Sequence, residues 1–312
     1  MAAPALHVEA AGQGPGIVLA HGFGGSARNW RPQLRTLRAH YRVVVYDARG
    51  HARSAAPNEA AAYRAEALLA DLGRAAQATD DVRPVVGGLS MGAAVALRYA
   101  LAEPERVRAL VLASPPAGPG SGHGIAAHAL AFAAAIEADG LLAAGARFVW
   151  RAGSELDPAG AALVRQGFLE HPPHGLAHTL REFLARLEAV ESLASRLARL
   201  TLPVLLIAGG RDEASLAVCR SLTATLPRSE LNVIPDAGHV VNLAAPAAFD
   251  AALLGFLERL APIHRRRKRR LPGSLTQRRR ASSRCSRPPR SRRASTSWPS
   301  ASRATIESCR SH

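Results

Sequence analysis

Between residues 6 and 114, short aliphatic and β-branched runs alternate with stretches whose apolar positions recur every three or four residues. This rhythm predicts an α/β protein with a mostly parallel sheet. Leu6–Ala10 predicts an edge strand and Ile17–Ala20 a buried one. Ala27–His40 predicts a helix with Trp30, Leu34 and Leu37 on one face, and Arg42–Tyr46 the next strand. Glu59–Ala78 predicts a helix that turns Leu68, Leu69 and Leu72 inward. Pro84–Leu89 is a strand running into Ser90, Met91–Ala102 a helix, and Val107–Ala113 a strand. The helix stops at Glu103, as the restriction on a residue before proline requires.

From Pro115 to about Arg199 the rhythm breaks into helical patterns without a strand, and the Pro/Gly-rich stretch Ser114–Gly124 links into it. Strands resume at Leu202–Ala208 and Leu231–Ile234, and Pro246–Leu260 is a closing helix. A helical insertion in a parallel sheet predicts a lid over the C-terminal strand edge, where open α/β sheets bind ligands. The chain divides into a core N-terminal part (1–114), a helical cap (115–199), a core C-terminal part (200–263) and a basic tail (264–312).

Composition refines this division. The chain has 312 residues, 48% hydrophobic, and a net charge of +16. Such a length buries a large core, and such an apolar fraction excludes a mostly disordered or collagen-like chain. The charge is not spread evenly, because residues 264–312 hold 15 Arg and one Lys against the single acid Glu307. Leu271, Leu275 and Ile306 are the tail's only large aliphatics, so it is expected to be disordered. Two readings compete for it. Arg265–Arg270 and Arg278–Arg280 suit a nucleic-acid arm. Alternatively, a frame slip or late extension in GC-rich coding DNA produced it, since Lys268 is the first lysine of an Ala- and Arg-rich chain. Three cysteines make no disulfide framework, no apolar run reaches 18 residues unbroken, and the N-terminus lacks the regions of a signal peptide. A cytoplasmic setting without a membrane partner is expected.

The chemistry concentrates at the ends of the predicted strands. Gly88-Leu-Ser-Met-Gly92 lies between a strand and a helix, the setting of a nucleophile elbow. A turn that tight strains the backbone, demands very small flanking residues and lifts the Ser90 hydroxyl clear of the sheet. A serine nucleophile needs a base, and the base an orienting acid. His239, in Pro235-Asp-Ala-Gly-His239, follows the last strand. Asp212, in Gly209-Gly-Arg-Asp212, follows the strand before it, with Asp236 and Glu213 as rivals for the acid. The turn His21-Gly-Phe-Gly-Gly25 offers a second backbone N–H, that of Phe23, to join Met91 N–H in an oxyanion hole.

With these motifs in order, residues 6–260 resemble the α/β-hydrolase superfamily, in its group with a single helical cap. The matching pieces are 21–25, Asp47-Ala-Arg-Gly-His-Ala-Arg-Ser54, 88–92, 209–212 and Ala237-Gly-His239. The resemblance implies an eight-stranded, mostly parallel sheet with the cap between strands six and seven, and a Ser-Asp-His triad. Within the group the chain is similar to 3-oxoadipate enol-lactonases and related esterases, departing from them at Ala52 and Ala93. It also looks like the synthases of menaquinone biosynthesis, but Arg98 comes late on its helix for their substrate carboxylate. Serine at the elbow argues against the related dehalogenases and epoxide hydrolases, whose nucleophile is a carboxylate.

The expectation is therefore a serine hydrolase that cleaves a small-molecule ester or lactone through an acyl-enzyme on Ser90, with no metal and no organic cofactor. The alternatives are a carbon–carbon bond hydrolase or lyase with the same triad, and a hydrolase-fold platform for a nucleic-acid-binding tail; a nucleic-acid partner is expected only if the tail is functional. Phe132, Phe148 and Trp150 are candidates for substrate binding in the cap, where apolar residues otherwise form its core. His171, His174 and His178 lack the pattern of metal ligands and suit a surface or cap-hinge role. Arg49 and Arg53 either greet an anionic substrate or are solvated, and Cys219 is expected to be buried and inert.

Overall fold

The computed structural model describes residues 3–116, 125–150 and 158–260. The basic tail, the link 117–124 and the stretch 151–157 lie outside the described residues. Among the described residues, seven strands form one sheet in the order β1-β3-β2-β4-β5-β6-β7. They are β1 (Val8–Ala11), β2 (Gly16–Ala20), β3 (Arg42–Tyr46), β4 (Val85–Leu89), β5 (Ala109–Ala113), β6 (Val204–Gly209) and β7 (Ser229–Ile234). Only β1 runs antiparallel, pairing Val8 with Tyr46; the other pairs are parallel. These are the strands that the apolar runs marked. The resemblance implied eight, and one strand fewer ahead of the insertion places it between β5 and β6.

The sequence of each inner strand explains its place. Strands β2, β4, β5 and β6 are buried at every residue, as a sheet covered on both faces requires. Successive side chains still go to opposite faces. Val18, Val44, Val86, Leu110 and Leu206 enter one core cluster, while Ile17, Val43, Val45, Val111 and Leu205 enter the other. The α-helices of the described residues are α1 (Arg31–Leu37), α2 (Ala65–Gln77), α3 (Met91–Ala102), α4 (Ile125–Phe148), α5 (Pro158–Leu169), α6 (Pro173–Glu182), α7 (Ala194–Leu197), α8 (Glu213–Thr225), α9 (Val241–Ala244) and α10 (Pro246–Arg259). Leu72 of α2 and Leu222 of α8 lie in the first cluster, Leu37 of α1 and Phe249 of α10 in the second.

The expected helix 27–40 is shorter. Ala27–Trp30 is a 3-10 turn capped by Ser26, and α1 starts beside Pro32, whose ring suits a first helical turn and no later one. Helix α4 has the length and mean hydropathy (1.5) for a membrane crossing by composition alone. Gly140, at φ 77° and ψ 174°, interrupts it, and Phe132, Ala133 and Ile136 are buried in the core cluster. The insertion meets loops that leave the C-terminal ends of β2 and β3: the Phe132 ring packs edge-on to Phe23, and the His171 ring bonds the Gly24 carbonyl and accepts the Ala52 N–H (2.8 Å).

Candidate active site

Strand β4 ends at Leu89 and α3 begins at Met91, so Ser90 is the whole turn between them. Its backbone has φ 51° and ψ −114°, a region that costs a non-glycine residue about 1–3 kcal/mol. Hydrogen bonds hold it there: Ser90 N–H donates to Ala113 O (2.9 Å), and Ser90 O accepts from Ala94 N–H (3.0 Å). The two flanking glycines have a steric reason. A Cβ on Gly88 would collide with the Gly92 backbone, and one on Gly92 would reach 2.6 Å from the Ala20 carbonyl carbon and 2.7 Å from His21 O.

His239 Nε2 lies 2.9 Å from Ser90 Oγ, and His239 Nδ1 lies 2.7 Å from Asp212 Oδ2. An ionised carboxylate only accepts, so Nδ1 carries the proton and Nε2 presents its lone pair to the serine hydroxyl. The loops that bear the two residues are tied together. Gly210 N–H donates to Ile234 O (2.8 Å) and Arg211 N–H to Ala237 O (3.1 Å). Burial alone would raise the Asp212 carboxyl, but hydrogen bonds from His239 and Ser215 outweigh it and hold the group below its ordinary value. The rivals for the acid are elsewhere. Asp236 is exposed and paired with Arg211 at 3.3 Å, and Glu213 is exposed at the start of α8.

Ser215 is a neighbour that sequence reasoning missed. Its N–H donates to Asp212 Oδ1 (3.3 Å), and its buried hydroxyl lies 3.4 Å from His239 Nδ1. The signal was present in the spacing: an acid three residues ahead of another residue at a helix start accepts that residue's N–H as an N-cap.

The turn after β2 lies against the serine, since a Cβ on Gly22 would be 3.5 Å from Ser90 Cβ. Gly25 N–H donates to Gly22 O (3.0 Å) and closes the turn around Phe23. Met91, as the first residue of α3, has an N–H with no intrahelical acceptor. His21 is buried, with Nδ1 2.7 Å from Gly22 O, and its Nε2 accepts the Ala48 N–H (2.9 Å). Burial lowers its pKa to about 4 against the bond to Gly22 and the charge of Asp47, which oppose the shift.

The cap candidates sit in one aromatic cluster. Phe132 stacks on Phe148 (4.6 Å between centroids) and packs edge-on to Phe23 (5.5 Å), while Trp150 meets Phe168 edge-on (5.7 Å). Phe132 is buried, whereas Phe148 and Trp150 are partly exposed. Arg49 greets no substrate and is not solvated: its buried guanidinium bonds both oxygens of buried Asp71 and the carbonyls of Ala62 and Ala67. Arg53 pairs with Asp47 (2.9 Å) and Glu9 (2.7 Å). Cys219 is buried, and burial with nearby Asp212 pushes its thiol up to about 12. Among the described residues no group of three metal-ligating side chains converges.

A family profile described as alpha/beta hydrolase fold matches residues 15–246. The chain is 33% identical over 267 residues to a protein of Variovorax paradoxus named as the carbamate hydrolase RutD, covering 82% of this chain and 97% of the relative. It is 30% identical over 248 residues to a Bacillus subtilis protein named as a 2-succinyl-6-hydroxy-2,4-cyclohexadiene-1-carboxylate synthase, covering 77% and 89%. The crystal structure of the enol-lactonase from Burkholderia xenovorans LB400 superposes with a TM-score of 0.71 at 26% identity, covering 82% and 97%.

Proposed function

The chain belongs to the alpha/beta hydrolase family, and from that premise we propose that it is a serine hydrolase of carboxylic esters or lactones. The observation that carries this reading is the continuous line Ser90 Oγ, His239, Asp212, at 2.9 Å and 2.7 Å, beside the turn of Phe23. Ser90 attacks the substrate carbonyl while His239 Nε2 takes its proton. Asp212 keeps the proton of the other ring nitrogen in place and stabilises the imidazolium. The N–H groups of Phe23 and Met91 receive the oxyanion of the tetrahedral intermediate. The imidazolium then protonates the leaving alkoxide, and water activated by the neutral imidazole releases the acid and regenerates Ser90. The aromatic cluster from Phe23 through Phe132 to Phe148 supports an apolar acyl or ring portion in the substrate.

The test is a turnover screen of the full chain over acyl-chain length, lactone ring size and an aryl carbamate. The carbamate enters because the RutD relatives carry that name. Saturable turnover of at least one ester or lactone is expected. Turnover of the carbamate alone would replace the ester reading, and turnover of no member would remove it.

A further inference from the structure

His171 belongs to the insertion between β5 and β6, yet it touches both the turn after β2, which lies against Ser90, and the loop after β3. The residue lies between α5 and α6 and is 3% exposed. Its Nε2 is 2.8 Å from Gly24 O, and its Nδ1 is 2.8 Å from Ala52 N. A carbonyl only accepts and a backbone N–H only donates, so the ring is neutral and protonated on Nε2. Burial favours the same neutral form, lowering the pKa against the Gly24 bond and the charges of Asp47 and Glu170, which oppose the shift. His174 and His178 lie at +3 and +7, on the same helical face, and set their Nε2 atoms 3.1 Å from Ala56 O and 3.1 Å from Asn58 O. All three histidines thus dock the insertion on the loop after β3. Of the three, His171 is the one that also reaches the turn after β2.

That turn is held at both ends. Gly22 O accepts from Gly25 N–H (3.0 Å) and from the His21 ring (2.7 Å). A trans peptide is planar, so the Phe23 N–H points opposite to the Gly22 carbonyl and is aimed by whatever holds that carbonyl. Gly24 O belongs to the Gly24–Gly25 peptide, whose N–H is the donor to Gly22 O, and it is held by His171. The His51 ring fills the space between, 5.1 Å from the His21 ring, 5.2 Å from His171 and edge-on to Phe23 at 5.7 Å.

We propose that His171 is a positioning residue through which the insertion fixes the oxyanion turn: its bond to the Gly24 carbonyl sets the Gly24–Gly25 peptide, whose N–H holds the Gly22 carbonyl and so aims the Phe23 N–H. This rests on the serine-hydrolase reading above. The placement of the insertion is then read in the rate of the chemical step rather than in substrate affinity.

Two substitutions separate the contacts, His171→Asn and His171→Gln, each made in the full chain. An asparagine oxygen reaches the Nδ1 position and accepts from Ala52, but the side chain is too short for Gly24. Glutamine extends an N–H to the Gly24 carbonyl. The readouts are kcat and KM on the best ester of the screen, the rate of covalent capture of Ser90 by a p-nitrophenyl alkylphosphonate, and the melting temperature. Because a small misplacement of a catalytic group costs up to about a hundredfold, H171N is expected to lose about tenfold or more in kcat and in capture rate. Its KM should stay within about twofold, and H171Q should keep kcat within about threefold. Wild-type kcat in H171N overturns the inference, as does an equal loss in both variants that follows their melting temperatures. If H171N does not fold, H171Q decides alone, and a loss of about tenfold in kcat at a normal melting temperature overturns it. Failure to capture Ser90 in the wild-type chain would instead bring down the hydrolase reading itself.

Discussion

Acidification to about pH 5.5 should cost this fold several kcal/mol, because it buries imidazoles that stay neutral. Burial, with help from the neighbouring rings, pushes His51 well below its ordinary 6.5, and burial takes His21 to about 4. In the unfolded chain both regain the ordinary value. Their folded pKa values are depressed, so their stability contribution is complete above 6.5 and is lost as pH falls below it, for His21 down to about 4. One unit below 6.5, each imidazole that stays neutral only in the fold costs about 1.4 kcal/mol relative to pH 7.5. His21 and His51 together therefore remove about 3 kcal/mol, and His171, shifted in the same direction by burial, adds to the loss. The depressed carboxylates Asp47 and Asp212 act in a lower window, below their ordinary 3.8, so the two effects separate on the pH axis. Urea unfolding at pH 7.5 and pH 5.5, extrapolated to water, measures the difference directly. In His51→Phe, which keeps a ring against Phe23 and His171, the loss should shrink by about 1 kcal/mol or more. Equal unfolding free energies at the two pH values would refute the reasoning, and so would a His51→Phe variant as acid-labile as the parent.

Three further outcomes are expected. Gly92→Ala forces a methyl group into the Ala20 and His21 backbone and should destabilise the fold by about 3 kcal/mol; an unchanged thermal melt contradicts the elbow packing. Ser215→Ala removes the hydroxyl that supports Asp212 and should lower kcat about fivefold at constant KM, measured by steady-state kinetics. Phe132→Ala opens a hole among Phe23, Phe148 and Phe168 and should cost about 3–4 kcal/mol of stability, whereas partly exposed Phe148→Ala should mainly shift the preference between short and long acyl chains. A Phe132→Ala variant of normal stability and altered selectivity would reverse those two roles.

What the sequence disclosed follows from how local its signals are. The inner strands β2 to β6 are short runs rich in Val, Ile and Leu, set off by Pro, Gly or polar residues, so they were legible. The elbow was legible because Gly88 and Gly92 are required by contacts only a few residues away along the chain or across one strand. Spacing favours Asp212 over Asp236 because Asp236 sits only three residues from His239, yet both lie near strand ends and Asp236 stays a rival. The distinction is that one carboxylate meets the His239 ring and the other meets Arg211 at the surface. Arg49 misled for the opposite reason: a charge in a loop reads as solvated, and only the fold brings Asp71 and two carbonyls around it. The bonds from His171 to Gly24 and Ala52 span more than a hundred residues, so no periodicity announces them. The count of eight strands came with the resemblance, while the hydrophobic pattern of this chain matches the seven observed.

Covalent capture of the nucleophile tests the central claim most directly. The full chain is treated with a p-nitrophenyl alkylphosphonate, and intact and peptide masses locate the adduct alongside release of nitrophenol. One adduct per chain on Ser90 is predicted, with none in Ser90→Ala, and with capture slowed by about a thousandfold or more in His239→Ala and Asp212→Ala because the three groups act as a unit. Asp236→Ala should label like the parent. An adduct on another residue, turnover that survives in Ser90→Ala, or loss of capture in Asp236→Ala with retention in Asp212→Ala would contradict it.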